Sequence, residues 1–280
     1  MKILLIFSLL LSFRILAITG GQESDTDYVE VVRLSKNGYG NGCSAVKISS
    51  KKFLTSAHCF SNFERDIDFV EYMATNKDPY ALIAQIFQQG KTVSVSVKSL
   101  RFHPSWHQHI KSGMTDREIG RVIGSGVVSD LSILEVIEDT PFKTAVVSFD
   151  KSLFVENVAM AVVGYGATEK NKTPNLPSWG AVFVYSLENT YMVSLPQRFE
   201  NLCTSKPQVT VQPGDSGGPA YVLSKDGGSL VVVGINSGIS SAEFPELECK
   251  FNVTLSTRLD VAKEWLCQEL DGQLSECAGR

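Results

Sequence analysis

The sequence lacks the features that mark several classes of protein. Its 26 basic and 30 acidic residues leave a formal net charge of −4, without the basic excess expected of a protein that binds nucleic acid or an anionic membrane surface. It contains no low-complexity segment and no internal repeat, and no two of its six cysteines have the C-x2-C spacing common in zinc sites. We therefore expect no nucleic-acid partner, no metal and no other cofactor.

The amino terminus has the three-part layout of a secretory signal: a charged Lys2, an apolar run from Ile3 to Phe13, and a small residue at Ala17. The run is far shorter than the ~20 residues that span a bilayer, so we expect a signal peptide over residues 1–17 rather than a membrane anchor. Export to the periplasm or the cell exterior would place an even number of cysteines in an oxidising compartment, where disulfides are expected.

The mature chain is dominated by short β-branched runs separated by turn residues. Examples are YVEVVRL (28–34), TVSVSVKSL (92–100), NVAMAVVGYG (157–166), GAVFVYSL (180–187) and SLVVVGI (229–235). Many short strands at this spacing are typical of a sandwich or of barrels. One helix, Arg258–Leu270, is predicted from apolar residues near helical spacing, and the polar stretch His107–Gly126 is predicted to be a surface loop. The predicted fold class is all-β, with two barrels closed by a C-terminal helix.

The segment PGDSGGP, Pro213–Pro219, places an acid and a hydroxyl within a glycine-rich run. Because glycine costs backbone entropy on folding, such a run indicates that backbone N–H groups must approach something closely. Ser216 is thus a candidate nucleophile, which requires a base and an orienting acid elsewhere in the chain.

His58 is the candidate base, because it is the one histidine in an apolar, strand-like setting, FLTSAHC. Cys43 and Cys59 bracket a turn that would bring two strands together and hold the His58 ring beside a disulfide. Asp130 is the candidate acid, since it starts the apolar strand of VVSDLSILEV, where an unpaired charge is costly. Taken alone, a core histidine and a strand-capping aspartate are the simpler interpretations.

Two other clusters could bind metals but are better explained as solvated loops. Three histidines crowd into FHPSWHQH: His103, His107 and His109. An H-x-H pair on an extended segment puts both rings on one face, but no acidic residue lies nearby. Three acids could form a calcium loop, for which a solvated acidic loop is the favoured alternative: Asp66, Asp68 and Glu71.

Four motifs occur in the order found in the chymotrypsin/trypsin-like serine peptidases, which the chain resembles. They are ITGG (18–21), LTSAHC (54–59), DLSILEV (130–136) and GDSGGP (214–219). The resemblance covers residues 18–280. It implies two antiparallel six-stranded β-barrels with a C-terminal helix, the first over roughly 18–138 and the second, with the helix, over roughly 139–280.

The resemblance also implies a Ser-His-Asp triad. Ser216 attacks the scissile carbonyl, and His58 takes its proton and returns it to the leaving amine. Asp130 orients His58, with help from the Ser237 hydroxyl. Backbone N–H groups of Gly214 and Ser216 form the oxyanion hole, which gives the glycine-rich run its purpose.

Activation by a new amino terminus is a further implication of the resemblance. The α-ammonium of Ile18 would pair with Asp215 and hold the oxyanion loop open. Because Ala17 directly precedes ITGG, removal of the signal after Ala17 would expose Ile18 without a separate zymogen. A cut after Ser12 is the alternative, and it would leave a short FRILA segment for another protease to remove.

The specificity pocket that the resemblance implies is shallow and apolar. Thr210 occupies the floor, where a neutral hydroxyl cannot compensate a buried cation. Counting from Ser237 and from the terminal strand places Ile239 and Thr254 at two positions of the pocket wall. In relatives that accept long side chains, both positions are glycine. Ile239 and Thr254 are both β-branched and stiff. The pocket residues Thr210, Ser237, Ile239 and Thr254 predict cleavage after Ala, Val, Ser or Thr, as in the elastase-like branch.

The cysteines depart from the pattern of the family. Cys203 lacks its usual upstream partner, because no cysteine lies between residues 59 and 203. We pair Cys203 with Cys249 across the pocket rim and Cys267 with Cys277 at the tail, although spacing alone does not fix connectivity.

The function indicated is that of a secreted, monomeric serine endopeptidase with polypeptide substrates and protein protease inhibitors as partners. One alternative is a catalytically inactive homologue that serves as a binding module, but all three triad residues stand in motif context. Another is a secreted β-sandwich binding domain in which GDSGGP is only a turn. That interpretation leaves the order of the four motifs unexplained.

Overall fold

The computed structural model of the chain describes residues 18–36, 42–61, 66–68, 83–88, 91–166, 175–203, 208–243, 249–271 and 273–277. The predicted signal peptide and Glu71 of the acidic loop lie outside the described residues. Among the helices that the structure describes, none has the length and hydropathy needed to cross a bilayer.

Eight strands lie in the first half of the described chain. They are β1 (Gln22–Glu23), β2 (Val31–Lys36), β3 (Ser44–Lys47), β4 (Lys52–Thr55), β5 (Ile67–Asp68), β6 (Ile83–Gln88), β7 (Lys91–Phe102) and β8 (Ser132–Val136). All but β1 form one antiparallel sheet in the order β5-β7-β6-β2-β3-β4-β8. A further pairing of β7 with β8 closes this sheet into a six-stranded barrel with β5 at its edge.

The second half of the chain forms a second barrel. Its strands are β9 (Ala159–Gly164), β10 (Ser178–Leu187), β11 (Tyr191–Leu195), β12 (Pro219–Leu223), β13 (Leu230–Glu243) and β14 (Lys250–Arg258). They pair in the order β1-β10-β11-β14-β13-β12-β9, and a pairing of β9 with β10 closes the six strands. Two six-stranded antiparallel barrels confirm the predicted fold class.

Strand alternation divides the apolar residues among separate cores. Successive side chains of a strand point to opposite faces, so neighbours on β2 enter different clusters: Val32 packs inside the first barrel, and Val31 packs between the two barrels. The cluster between the barrels also receives Trp265 and Leu266 of the terminal helix. The helix therefore covers part of the apolar core between the two barrels.

Three α-helices are present among the described residues: α1 (Pro104–His109), α2 (Asp116–Gly124) and α3 (Lys263–Glu269). The prediction of a surface loop over His107–Gly126 is therefore wrong, because that stretch contains all of α2. Thr115 and Glu118 form a capping box at its start. Ile119 and Ile123, four residues apart, bury one face of the helix in the core of the first barrel.

The terminal helix is shorter than the predicted Arg258–Leu270. Arg258 is the last residue of β14, and the backbone N–H of Leu259 donates to the carbonyl of Val233 on β13 at 3.0 Å. The guanidinium of Arg258 also contacts the carboxylate of Asp260, at 2.7 Å from Nη2. These bonds tie Arg258 and Leu259 to the sheet, and the chain then bends and turns, so the helix begins only at Lys263.

Three disulfides join the cysteines in the pairs Cys43–Cys59, Cys203–Cys249 and Cys267–Cys277. The first fastens the start of β3 to the turn that carries His58. The second joins the connection after β11 to the start of β14. The third ties α3 to the end of the chain.

Candidate active site

His58 and Asp130 are brought together by two paired strands of the first barrel. His58 lies in the 3-10 turn after β4, and Asp130 lies just before β8, which pairs with β4. The backbone N–H of His58 donates to Oδ1 of Asp130 at 2.8 Å, and Nδ1 of its ring lies 2.6 Å from Oδ2. One carboxylate thus fixes both the backbone and the ring, and it favours the tautomer with the proton on Nδ1.

Asp130 is fully buried, and its charge is compensated by donors from both barrels. The hydroxyl of Ser237, on β13, donates to Oδ2 at 2.5 Å in addition to the two contacts from His58. Burial by itself would raise the pKa of Asp130, but the charge of His58 and the hydrogen bonds from His58 and Ser237 outweigh it and hold the pKa below its usual range. The carboxylate is therefore ionised at neutral pH.

The side chain of His58 is 26 % exposed and so remains accessible from the cleft. Burial lowers the pKa of His58, but the charge of Asp130, its hydrogen bond and the charge of Asp116 together raise the pKa above the ordinary value of 6.5. The raised pKa makes the His58 ring a stronger proton acceptor, as a general base requires.

Ser216 lies in a loop before β12 that is bonded to both barrels. Its carbonyl accepts the N–H of Ser44 at 2.8 Å, and the N–H of Gly217 donates to the carbonyl of Asn236 at 2.7 Å. The carbonyl oxygen of Ser216 lies 3.9 Å from Sγ of Cys59, the residue after His58. The candidate nucleophile is therefore held next to the turn that carries the candidate base.

Two glycines of this loop adopt backbone conformations that other residues avoid, with φ of 102° at Gly214 and 85° at Gly217. A Cβ atom on Gly217 would also lie 2.0 Å from Oγ1 of Thr55 and 2.2 Å from the carbonyl oxygen of Ser44. Glycine is required here because the loop backbone packs directly against the first barrel.

The side chain of Asp215 is buried beneath the same loop, where backbone N–H groups of Gly166 and Gln212 donate to its two oxygens at 2.7 Å each. A Cβ on Gly166 would lie 2.6 Å from Cγ of Asp215, so that glycine makes room for the carboxylate. Burial raises the pKa of Asp215 to about 7. Within the described part of the chain, no cationic group forms an ion pair with it.

The start of the predicted mature chain lies close to this loop. Ile18 is fully buried in the core of the second barrel. Thr19 forms an isolated bridge with Thr210, whose N–H donates to the carbonyl of Thr19 at 3.3 Å. Gln212, three residues before Asp215, donates its side-chain amide to the Thr210 hydroxyl at 3.2 Å.

The other predicted pocket residues lie on adjoining strands of the second barrel. Ile239 on β13 pairs directly with Thr254 on β14, which in turn pairs with Ser194 on β11. Thr254 and Ser194 are buried, whereas Ile239 is 45 % exposed. The hydroxyls of Thr254 and Ser194 have no hydrogen-bond partner among the residues described. Ile239 and Thr254 thus stand side by side, as two walls of one pocket would require.

The candidate metal clusters do not assemble in the described part of the chain. Asp66 accepts hydrogen bonds from the N–H of Phe102 at 2.9 Å and from His107 at 3.1 Å. The group whose ligand atoms do converge consists of His58 and the two cysteines of the Cys43–Cys59 disulfide, which cannot act as thiolate ligands.

His103 is not in a solvated loop, which corrects that interpretation. It caps α1, its Nδ1 contacts the Ser105 hydroxyl at 2.8 Å, and its ring packs edge-on against Trp265 of α3. Burial lowers the pKa of His103 to about 4. Its role is structural, since it joins the first barrel to the terminal helix.

A sequence model of the family described as Trypsin matches residues 18–265. The chain belongs to the trypsin family. Serine protease SSP1 of Scolopendra subspinipes is 24 % identical to it over 259 residues, which cover 89 % of this chain and 81 % of that protein. This trypsin-family chain is a serine endopeptidase, and the resemblance found in its motifs is confirmed.

Ser44 is a site residue of this peptidase that sequence analysis missed. Its hydroxyl donates to the carbonyl of Gly214 at 2.8 Å and accepts the N–H of Tyr165 at 2.9 Å. Its own carbonyl accepts the Thr55 hydroxyl at 2.7 Å. A small serine beside a cysteine carries no sequence signal of this kind, because its partners lie far away along the chain.

The peptidase also has a cleft of about 150 Å³ directly beside His58. Its lining residues are His58, Ser61, Asp116, Ile119, Gly120, Ile123 and Ser237. Helix α2 supplies four of them, so the stretch predicted as a featureless loop forms a wall of the candidate active site.

Proposed function

We propose that this peptidase is secreted and that it cleaves polypeptides through an acyl-enzyme formed on Ser216. His58 removes the proton from Ser216 Oγ as that oxygen attacks the scissile carbonyl, and it then delivers the proton to the leaving amine. Water hydrolyses the acyl-enzyme by the same proton transfers in reverse. The observation that carries this proposal is the 2.6 Å contact between Nδ1 of His58 and Oδ2 of the buried Asp130.

In the proposed mechanism Asp130 keeps the His58 ring oriented and stabilises the imidazolium. The Ser237 hydroxyl assists by holding the carboxylate from the second barrel. The backbone N–H groups of Gly214 and Ser216 bind the developing oxyanion, where one such donor contributes about 100- to 1,000-fold in rate. The positive φ of Gly214 supports this role, because it turns the peptide in a way that other residues avoid.

We further propose that processing before Ile18 completes the site. The new α-ammonium would pair with Asp215, whose buried carboxylate has a pKa raised to about 7 and would be ionised more fully beside a cation. Burial of Ile18 and the bridge between Thr19 and Thr210 support this assignment, because they tie the new terminus to the segment that leads to Asp215. Amino-terminal sequencing of the secreted protein tests it, and a start upstream of Ile18 would contradict direct activation by signal removal.

The proposed primary pocket contains Thr210, Ser237, Ile239 and Thr254 and accepts small side chains. Thr210 and Thr254 are buried, whereas Ile239, which pairs with Thr254, is partly exposed. We therefore place Ile239 at the entrance of the pocket. An acidic residue is missing among these four, so a basic side chain would be left without a counter-ion in this pocket. We propose cleavage after Ala, Val, Ser or Thr.

The proposed organisation is a signal peptide over residues 1–17, a first barrel over roughly 18–138, and a second barrel with the terminal helix over roughly 139–280. Three disulfides support passage through an oxidising compartment. The secreted enzyme is proposed to act as a monomer on polypeptide substrates and to be a target of protein protease inhibitors.

Covalent labelling tests the proposed mechanism. A serine-directed fluorophosphonate should modify the processed protein at Ser216, as located by peptide mass spectrometry, and labelling should be lost in His58→Ala. Persistent labelling in His58→Ala, or modification of another serine, would contradict the assignment. An absence of labelling in the correctly processed wild type would favour an inactive homologue that acts as a binding module.

A further inference from the structure

The cleft beside His58 is a preformed recess with its own wall. A cavity of about 150 Å³ can hold one benzene molecule in another protein, so this cleft has room for one amino-acid side chain. His58 and Ser237 line it on one side, and α2 lines it on the other. Because His58 itself belongs to the lining, a side chain bound there must come from a residue close to the scissile bond.

Helix α2 is held in place at both ends and along its buried face. The Thr115–Glu118 capping box fixes its first turn. At its other end, the hydroxyl of Tyr191 on the second barrel donates to the carbonyl of Gly124 at 2.9 Å. The cleft therefore does not depend on a mobile segment that closes over it.

Gly120 keeps the cleft open. Glycine inside a helix is destabilising relative to alanine, and no packing contact demands it at this position. A Cβ atom placed on Gly120 would meet nothing within 4 Å. Glycine is therefore not needed here to avoid a steric clash. Its effect is to leave space in the cleft.

Asp116 gives the cleft a negative charge. Its carboxylate is exposed at the first position of α2, from which its charge acts on His58. Among the described residues, no lysine or arginine forms an ion pair with it. Ile119 and Ile123 provide an apolar wall further along the same helix. An aliphatic stem ending in a cation, as in lysine and arginine, matches this combination of apolar wall and acidic rim.

We infer that this cleft is a second recognition pocket, in which Asp116 and the space at Gly120 select a basic side chain next to the residue in the primary pocket. This inference rests on the proposed function, since it concerns the same catalytic centre. The two pockets then contribute differently to specificity. The primary pocket selects a small side chain, and the cleft beside His58 selects a positively charged one.

The test is cleavage of peptides that differ only at the positions flanking the scissile bond. One of these positions should favour Lys and Arg over norleucine and Gln by about two- to fivefold, the range of a partly exposed ion pair. Asp116→Asn should remove this preference, and Asp116→Lys should reverse it. Added salt should weaken the preference of the wild type, because an exposed ion pair is screened.

Two further variants make the result specific to the cleft. Gly120→Leu should fill the recess and reduce cleavage of peptides with Lys, Arg or norleucine at that position, relative to Ala. Glu156→Gln removes one exposed negative charge outside the cleft and should leave the preference unchanged.

The outcomes distinguish this inference from the proposed function. If fluorophosphonate labels Ser216 and peptides are cleaved, but Asp116→Asn and Gly120→Leu retain the wild-type profile, the inference is overturned and the proposed function stands. If neither labelling nor cleavage occurs in the processed enzyme, the proposed function is overturned and the inference falls with it.

Discussion

The hydroxyl of Ser44 lies 2.8 Å from the carbonyl oxygen of Gly214, a residue 170 positions further along the chain. The same hydroxyl accepts the N–H of Tyr165 at 2.9 Å. Ser44 belongs to the first barrel, whereas its partners belong to the second. The conformation of the candidate oxyanion loop is therefore fixed by the packing of the two barrels. The glycines of the loop only allow the backbone to adopt that conformation.

Ser44→Ala should impair catalysis more than substrate binding. The substitution removes the partner of the buried Tyr165 N–H and of the partly buried Gly214 carbonyl, and a buried group left unpaired costs about 1–3 kcal/mol. We expect the free energy of unfolding to fall by a few kcal/mol, and kcat to fall about tenfold with KM nearly constant as the Gly214 peptide loses its orientation. Urea unfolding and steady-state kinetics measure both effects. Ser96→Ala on the exposed surface is the control, and an unchanged kcat in Ser44→Ala would contradict this role.

Asp116→Asn should shift the pH dependence of activity. His58 must be neutral to accept a proton, and two acidic groups face it: Asp130 and Asp116. Because the charge of Asp116 contributes to raising the pKa of His58, its removal should lower that pKa and move the acid limb of the kcat/KM profile to lower pH. The shift should shrink at high salt. An acid limb that stays in place, or moves to higher pH, would contradict the electrostatic coupling.

Asp215 should make the unprocessed protein less stable at high pH. A folded pKa of about 7, against 3.8 as the ordinary value, favours the protonated form. The contribution of Asp215 to the free energy of unfolding is therefore fully present below pH ~4 and is lost as the pH rises through 7, by about 4 kcal/mol. Urea unfolding at pH 4.5 and pH 8 should show most of this loss in the unprocessed protein, whose chain continues upstream of Ile18. Processing before Ile18 should make the loss smaller.

Asp215→Asn provides the matched variant for this measurement. It should flatten the pH dependence of the extended protein, because the buried group no longer titrates, and it should inactivate the processed enzyme. Glu138→Gln at the exposed surface should do neither. If unprocessed Asp215→Asn and the unprocessed wild type lost equal stability between pH 4.5 and pH 8, the pH dependence would belong to groups other than Asp215.

Ile239 and Thr254 should control the size of the residue accepted in the primary pocket. They are paired on adjacent strands, and only Ile239 is substantially exposed. Replacing both by glycine should extend cleavage to larger apolar residues. Library profiling of the wild type should show Ala, Val, Ser and Thr before the scissile bond. A strong preference for Arg or Lys, or for Phe or Tyr, at that position would contradict the pocket assignment.

Sequence alone was sufficient for the fold class, because the motifs carrying His58, Asp130 and Ser216 are local and occur in a fixed order. It failed for α2, although a signal was present: Thr115 and Glu118 form a capping pair, and Ile119 and Ile123 follow at helical spacing. The polar residues and glycines around them outweighed that signal. The terminal helix was predicted too long, because apolar residues such as Leu259 are equally compatible with continued bonding to the sheet.

Contacts between barrels could not be predicted in the same way. The Ser44 hydroxyl reaches Gly214 only after both barrels have formed and packed, and the sequence near Ser44 contains no trace of that partner. The cleft is a similar case, since Asp116 and His58 approach each other only when α2 lies against the first barrel. Such residues are found from distances, after the fold is known.

The rate of amide hydrolysis by Ser216→Ala tests whether Ser216 is the nucleophile of this peptidase. The processed variant and the wild type are compared on one peptide with a small residue before the scissile bond, with circular dichroism to establish that the variant is folded and Ser224→Ala as a surface control. We expect turnover to fall to a residual level of about 1,000- to 10,000-fold over the uncatalysed reaction, supplied by the oxyanion hole and binding alone. Turnover near that of the wild type in folded Ser216→Ala would contradict this expectation.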